Sequence, residues 1–409
     1  MEKRKILHQP KAFKAFWLTL LSMGLLVSAC ESRPPQLTPV LLPEVLSPTP
    51  NSDQLKTQVA AAFTPTPIPT STSWPVNTAT PTAESHLPAN FNPLTGLPAA
   101  VPSRLAERPI LVKVANWPQS LRPSNGLLEA DFVFETYIGH QMSQFTALYY
   151  GSDALSVGPL APACLSDSRM TGHYQAIIAF ASAPPDVEAI FKTAFPDRYF
   201  QRGYTPCPPI CTEPANLGGN TMVSTAQLRT LAKESAGSSF TPQLEPLTFS
   251  NEISHWDEEA ERFSVLYADF SVMDWRYNPL TGQFDLWQDY ADAAGKVTIK
   301  QSLDRDSQKP LAWENVLVLY TDYIEYSDAL YDLDLRPGDP HQQALLLRDG
   351  KIIFGTWQSN ADGQSFTFFD SSDQPLALKP GRTWVSFVGL NSPTNLVSDG
   401  VWELNFSIK

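Results

Sequence analysis

The stretch from residue 25 to 30 constrains the fold most, because it decides where the folded protein can begin. It reads Leu-Leu-Val-Ser-Ala-Cys, so two small residues stand directly before a cysteine. Five basic residues and then an apolar run over residues 15–29 precede Cys30, as in a secretory signal. That run is shorter than the roughly 20 apolar residues that span a bilayer. We therefore predict that residues 1–29 are a lipoprotein signal peptide and that Cys30 is acylated, for example with palmitate, rather than incidental to an ordinary signal.

The segment that follows, residues 30–88, is rich in Pro, Ser and Thr and has few large apolar residues. Such a composition cannot bury enough apolar surface to offset the entropy lost on ordering. We expect a disordered tether here, which places the folded part of the chain from about residue 89 onward.

The charge of the chain excludes some partners. The formal net charge is −13, and removal of the leader, which holds five basic residues and one acidic residue, leaves −17. A protein that binds nucleic acid needs a basic face, and none is found after the leader. The same charge repels anionic lipids, so the expected partner at the N-terminus is a bilayer reached through the acyl group. No later segment is apolar for long enough to predict a transmembrane helix.

Strands and helices alternate over residues 89–245, which predicts an α/β domain with a mixed sheet. Alternating or continuous apolar runs predict strands at 110–114, 132–137, 145–150 and 176–181. Amphipathic patterns predict helices at 186–195 and 224–234, and Asp167 is a candidate cap for a further short helix.

The pattern changes over residues 246–409, where nearly every apolar run is short and rich in aromatic or β-branched residues. These runs lie at 263–267, 315–320, 352–357, 366–369, 384–388 and 402–406, with turn signals such as Asp-Gly between them. We predict a mainly antiparallel β domain, so the fold class of the chain is α+β.

Three cysteines follow Cys30, and an odd number leaves one of them unpaired. Cys207 and Cys211 are close in sequence, but the prolines between them favour an extended chain, which would hold the α-carbons about 12 Å apart. A disulfide needs less than about 7 Å, so this pairing requires a turn, and pairing of Cys164 with either cysteine is an equal alternative. No histidine stands at ligand spacing from them, and no metal site is predicted.

Several motifs, in one order, resemble the YerB-like bacterial lipoproteins, a family whose domains have no known function. The resemblance covers about residues 91–390. The matching segments are Asn92-Pro93-Leu94-Thr95-Gly96, Arg108-Pro109, Asn116, residues 122–135, Val157-Gly158-Pro159, Glu314-Asn315-Val316, Asp349-Gly350-Lys351, Gly355-Thr356-Trp357 and residues 379–384. Family members are expected to carry arginines at three positions that hold Gln144, Ala161 and Cys164 here. If those arginines bind an anion in the family, the resemblance implies that this chain has lost much of that site.

Polar residues crowd one predicted strand and the loops around it, and we take them as candidate ligand-binding residues. They are Asn116, Arg122, Glu129, Asp131 and Glu135. Loops next to strand ends are where α/β folds place ligands. The structural alternative is that Glu129 and Asp131 pair with Arg122 or cap turns.

The motif content favours a binding protein over an enzyme. The sequence has no Gly-x-Ser-x-Gly elbow, His-Glu-x-x-His motif, phosphate-binding loop or dinucleotide fingerprint. No cofactor is predicted, and Asp332, Asp334, Asp339 and His341 lack calcium-loop spacing, so we expect a solvated acidic loop there.

The leading hypothesis is therefore a non-catalytic envelope module that binds a small ligand, a wall polymer or another exported protein. The alternative is a hydrolase or transferase that uses Glu129 and Glu135 as acid and base, which requires the two carboxylates to lie about 5 to 9.5 Å apart.

Overall fold

Strands dominate the fold, as the short aromatic and β-branched runs predict. The computed structural model describes residues 88–408 apart from 215, 217–218, 237–239, 254, 293, 328–329, 336–341 and 361–365, and all described residues belong to one compact unit. The predicted signal peptide, Cys30 and all but the last residue of the predicted tether lie outside the described residues.

The described residues form 22 strands and three α-helices, numbered here in chain order. The strands are β1 Ile110–Val114, β2 Phe132–Tyr137, β3 Ser143–Tyr149, β4 Ile177–Phe180, β5 Tyr199–Gln201, β6 Ile210–Thr212, β7 Thr221–Val223, β8 Glu258–Glu259, β9 Arg262–Ala268, β10 Ser271–Asn278, β11 Gln283–Ala291, β12 Val297–Gln301, β13 Ala312–Trp313, β14 Asn315–Thr321, β15 Tyr323–Ser327, β16 Leu330–Leu333, β17 Gln342–Arg348, β18 Lys351–Gln358, β19 Thr367–Asp370, β20 Thr383–Gly389, β21 Thr394–Ser398 and β22 Val401–Asn405. The helices are α1 Leu165–His173, α2 Pro185–Ala194 and α3 Thr225–Ala236.

Eleven strands form one mixed sheet, in the order β19-β18-β17-β14-β20-β2-β3-β1-β4-β5 with β8 beside β18. At its centre β2 pairs in parallel with β20, from Phe132 opposite Thr383 to Glu135 opposite Ser386. Strands from both sides of the predicted boundary at residues 245/246 therefore share one sheet. The boundary itself stays a prediction.

A second sheet of seven strands, in the order β12-β11-β10-β9-β22-β21 with β13 beside β11, packs on one face of the large sheet. Three buried tryptophans meet between the two sheets. The ring of Trp384 on β20 lies 5.1 Å from that of Trp275 and 4.9 Å from that of Trp313. Such large apolar surfaces account for much of the stability of a core.

The helices α1 and α2 cover the opposite face of the large sheet. Helix α2 begins with Pro185, whose fixed φ suits the first turn, and it buries Val187 and Phe191, which are four residues apart on one face. In α1 the Asp167 carboxylate accepts a hydrogen bond from the Cys164 N–H at 2.7 Å, so Asp167 caps this helix.

The α+β class predicted from the sequence is confirmed, and the predicted helices at 186–195 and 224–234 are observed as α2 and α3. None of the helices among the described residues has the length and apolar content needed to cross a bilayer.

Candidate functional site

The structure joins three of the five candidate residues in a buried network beside β1, β2 and β3. The Asn116 side-chain amide donates to the Ser143 hydroxyl at 3.2 Å, and that hydroxyl donates to the Glu135 carboxylate at 2.6 Å. The Arg122 Nε donates to both the backbone and the side-chain oxygen of Asn116, each at 2.9 Å. These residues are thus each other's partners.

Arg122 and Asn116 also connect the large sheet to the second sheet. The Arg122 guanidinium donates to the Asp289 carbonyl at 2.6 Å and lies 3.6 Å from the Asp289 carboxylate. Gln288 donates to the Asn116 side-chain oxygen at 2.9 Å. Burial lowers the pKa of Arg122, although the Asp289 charge opposes this effect. Arg122 therefore pairs with Asp289, and not with Glu129 or Asp131 as in the structural alternative.

Glu135, on β2 at the centre of the large sheet, is fully buried. Its carboxylate accepts hydrogen bonds from Ser143, from the Ser386 hydroxyl at 2.8 Å and from the Trp384 indole at 3.3 Å. Burial raises the pKa of Glu135, and these donors oppose the rise. The carboxylate is surrounded by protein donors and does not face solvent.

Asp131 lies at the other end of β2, where it caps the end of β3. Its carboxylate accepts hydrogen bonds from the backbone N–H groups of Tyr150 at 2.6 Å and Gly151 at 3.2 Å. Burial raises the pKa of Asp131 from 3.8 to about 6 against the effect of those two hydrogen bonds. The turn-capping alternative thus describes how Asp131 is used.

Glu129 ends a short 3-10 turn, Leu127–Glu129, and is half-buried. Burial raises the pKa of its carboxyl group, and the nearby Asp304 carboxylate raises it further. The Glu129 carbonyl accepts a hydrogen bond from Ser152, which follows β3, whereas Glu135 contacts Ser143 at the start of β3. The two glutamates therefore lie at opposite ends of a seven-residue strand, about 20 Å long.

A second buried polar cluster lies on the helix face, where the three expected family arginines are absent. Lys113 is fully buried, and its Nζ lies 3.1 and 3.0 Å from the two carboxylate oxygens of Asp167. Thr146 donates to the same carboxylate at 2.6 Å. Burial lowers the pKa of Lys113, but Asp167 and then Cys164 raise it by more, so the net direction is upward.

Those three family positions lie around this lysine. The N–H of Ala161 donates to the Lys113 carbonyl at 2.9 Å, and Gln144 is buried on β3, two residues from Thr146. The pKa of the Cys164 thiol is raised to about 11 by burial, although Lys113 opposes this. The missing arginines were expected to remove an anion site from this region. The buried ion pair of Lys113 and Asp167 occupies it instead.

The disulfide joins Cys207 to Cys211, with an α-carbon separation of 4.8 Å, and Cys164 is a free thiol. The chain turns over residues 207–209, and the Ile210 N–H donates to the Pro206 carbonyl at 3.2 Å. This turn brings the two cysteines within bonding distance, which an extended chain would not do.

The expectation of a solvated acidic loop at Asp332 and Asp334 is wrong. Asp332 lies on β16, is 2% exposed and accepts two hydrogen bonds from Arg169 at 3.1 and 2.8 Å. Asp334 is also buried, because this segment packs against α1 instead of facing water. Asp339 and His341 lie outside the described residues. Across the described ranges no three metal-ligating side chains come together.

A cavity of about 680 Å³ lies between α2, α3 and the segment at 103–108. Its lining includes Arg108, Ile177, Phe195, Arg198, Ala232 and Phe240. None of the five candidate residues lines it. The volume falls in the range of roughly 300 to 1,000 Å³ that is usual for small-molecule sites.

The cationic side chains of this cavity differ in their contacts with the rest of the protein. Arg229 is held by the Asp153 carboxylate at 2.8 Å and by the carbonyls of Arg108 and Tyr149 at 2.5 and 2.8 Å. The Arg108 guanidinium donates to the Gln175 carbonyl at 2.8 Å and lies 3.4 Å from the centre of the Phe240 ring. Burial lowers the pKa of Arg108 to about 10, and the Arg198 charge adds to this effect.

Sequence reasoning missed this cavity. Arg108 belongs to the family motif Arg108-Pro109, for which no role is expected, and Arg198 and Phe240 stand in no motif. Arg198 follows Arg108 by 90 positions, and Phe240 follows Arg198 by 42. No local signal indicates that they meet.

Comparison with known proteins supports the family resemblance. Residues 94–206 match the model for the N-terminal domain of a protein of unknown function (DUF3048), and residues 263–385 match the model for its C-terminal domain. The crystal structure of the YerB protein from Bacillus subtilis is similar, with a TM-score of 0.58 and 21% identity over 73% of this chain and 96% of that chain. At this identity the likeness shows the fold alone. None of the curated proteins matches the chain significantly.

Proposed function

This chain belongs to the YerB-like family, whose function is unknown, and we propose that it is an extracytoplasmic lipoprotein that binds a ligand without catalysis in the cell envelope. In this proposal Cys30 carries the lipid and residues 31–88 separate the folded part from the membrane surface. The signal-like leader and the small residues before Cys30 support the anchoring.

The observation that carries the binding role is the cavity beside α2 and α3. It has the volume of a small-molecule site, and both charged and aromatic side chains line it. The predicted site around Asn116 and Arg122 supports a ligand less well, because those side chains are hydrogen-bonded to other protein groups. We therefore place the proposed ligand site in the cavity.

The geometry of the carboxylates argues against the alternative of acid–base hydrolysis. Glu135 is fully buried among protein donors, and Glu129 lies at the far end of β3. Glycosidase-type catalysis needs two carboxylates within about 5 to 9.5 Å, much less than the length of β3. These two residues do not form such a pair.

The test is a binding screen that includes a variant with a filled cavity. The mature chain carrying Cys30→Ala is screened against wall fragments and small molecules from envelope extracts, and each hit is measured again with Ala194→Trp. Ala194 is exposed and lines the cavity, so the indole can enter it without disturbing the core.

The matched control is Thr193→Trp, which adds the same side chain at an exposed neighbour that does not line the cavity. Hits should be lost with Ala194→Trp and kept with Thr193→Trp. Hits that survive both changes would place the ligand site elsewhere. Turnover of a wall fragment that disappears with Glu129→Gln would instead favour the enzyme.

A further inference from the structure

We infer that the cavity beside α2 and α3 binds a small oxyanion, a carboxylate or phosphate monoester, attached to an apolar body, with Arg108 and Arg198 holding the anionic group. This inference names the ligand class of the site and rests on the proposed function. Its experiment separates the two, because the charge of a probe can be changed independently of its shape.

The charges around the cavity favour an anion. Its lining holds four cationic side chains and two acidic ones, in a chain whose formal net charge is −13. Glu107 contacts Arg104 at 3.1 Å and Lys233 at 2.7 Å, and Asp153, which lies outside the lining, contacts Arg229 at 2.8 Å. The lining of the cavity therefore carries more positive than negative charge, although the chain as a whole is acidic.

Arg108 has no carboxylate partner among the residues that the structure describes. Its contacts are one carbonyl, one aromatic ring and the neighbouring charge of Arg198. Burial and a like charge both disfavour the charged form of a guanidinium. An oxyanion between Arg108 and Arg198 would relieve this repulsion and supply the missing charge.

The stacking of Arg108 on Phe240 leaves its guanidinium N–H groups able to bind an oxyanion. The Phe240 ring lies over the face of the guanidinium, so the N–H groups in the plane stay directed to its edges. A planar fork of donors matches the two oxygens of a carboxylate or phosphate. The guanidinium carbon of Arg198 lies over the Phe195 ring, 4.4 Å from its centre.

The apolar walls indicate that the ligand is more than a bare ion. Ile177, Phe195, Ala232 and Phe240 line the same space as the two arginines. An inorganic anion would fill only a small part of a cavity of about 680 Å³ and would leave these walls in contact with water. Burying an aromatic or aliphatic body against them is favourable, because it removes apolar surface from water.

The experiment measures calorimetric affinities of the mature chain carrying Cys30→Ala for four probes. These are 3-phenylpropionate, phenyl phosphate, the neutral 3-phenylpropanol and inorganic phosphate. Both anionic probes with a phenyl group should bind at least tenfold more tightly than the alcohol, as expected for a charge-assisted hydrogen bond. The order of the two distinguishes a carboxylate from a phosphate ligand, and inorganic phosphate should bind most weakly.

Arg108→Gln and Arg198→Gln should each weaken the anionic probes about tenfold or more and leave the alcohol unchanged. Lys300→Gln is the matched control, since it removes an equal charge that lies over Tyr290 on the second sheet. Arg198→Lys keeps the charge and should retain part of the affinity. Circular dichroism checks that each variant is folded.

Equal affinities for 3-phenylpropionate and 3-phenylpropanol would overturn the inference, as would anion binding that Arg108→Gln and Arg198→Gln leave intact. If Ala194→Trp still abolished binding in those cases, the cavity would remain the ligand site and only the ligand class would be wrong. Probes that bind equally well to Ala194→Trp would refute the proposed function itself.

Discussion

Removal of the Asp167 carboxylate should destabilise the folded chain strongly. This carboxylate contacts the Lys113 ammonium at 3.1 and 3.0 Å and accepts hydrogen bonds from Thr146 at 2.6 Å and from the Cys164 N–H at 2.7 Å. In Asp167→Ala the lysine, whose side chain is 0% exposed, keeps the Thr146 hydroxyl, at 3.3 Å, as its hydrogen-bond partner among the described residues.

The expected loss follows from the unpaired charge. Breaking a buried ion pair by removing one partner costs about 3 to 5 kcal/mol, because the other charge stays desolvated. Without Asp167 the pKa of Lys113 should also fall, since burial lowers it and the main opposing charge is gone. We expect a loss of about 3 to 5 kcal/mol in the free energy of unfolding.

Urea denaturation of the mature chain, followed by tryptophan fluorescence, measures this loss. The double variant Lys113→Met/Asp167→Leu removes both charges and should recover at least half of it, because a buried pair contributes little against apolar residues. Lys192→Ala breaks the exposed pair with Glu188 and should leave the midpoint nearly unchanged.

A loss below about 1 kcal/mol for Asp167→Ala would refute this reasoning, because it would mean that the Lys113 ammonium reaches water. A double variant as unstable as the single one would show that the hydrogen bonds, and not the unpaired charge, account for the loss.

Three further predictions concern other sites. The pKa of Asp131 is raised to about 6 in the folded chain, so the free energy of unfolding should fall by up to about 3 kcal/mol as pH rises from about 4 to above 6. Asp131→Asn should reduce this dependence on pH, which denaturation at a series of pH values measures. Replacing Cys207 and Cys211 by alanine opens a loop with a sequence separation of four and should cost about 2 kcal/mol on the chain-entropy model, whereas a reductant should have no effect on that variant. Cys30→Ala should move the protein from the membrane to the soluble fraction on cell fractionation, and a variant that remains with membranes would refute acylation as the anchor.

Ten of the 22 observed strands were predicted from local pattern, and the others, among them the long strands β10, β11 and β17, were not. Ile110, Val112 and Val114 alternate along β1, and Val187 and Phe191 share one face of α2, as observed. These features depend on neighbours two to four positions away, so the sequence alone determines them. The capping role of Asp167 was also local, and it was identified for the same reason.

The candidate site could not be read in this way. The sequence grouped Asn116, Arg122, Glu129, Asp131 and Glu135 because they are close along the chain. However, Asp131 stands just before β2 and contacts the end of β3, whereas Glu135 lies within β2 and contacts Ser386 on β20. Their partners come from distant segments, such as Asp289 for Arg122. Whether a polar side chain is open to a ligand depends on those partners, which no local pattern contains.

The sequence by itself determined the proline-rich composition of residues 31–88, the strand-rich composition of the second half and the family motifs, and it predicts the leader. Only the tertiary structure decided that β2 pairs with β20, that Cys207 joins Cys211 and that Arg108, Arg198 and Phe240 line one cavity. The physical reason is the sequence separation over which each kind of interaction acts. Periodicity and turn propensity act over a few residues, whereas sheet pairing and cavity formation depend on which distant surfaces bury each other, and many pairings are compatible with the same local pattern.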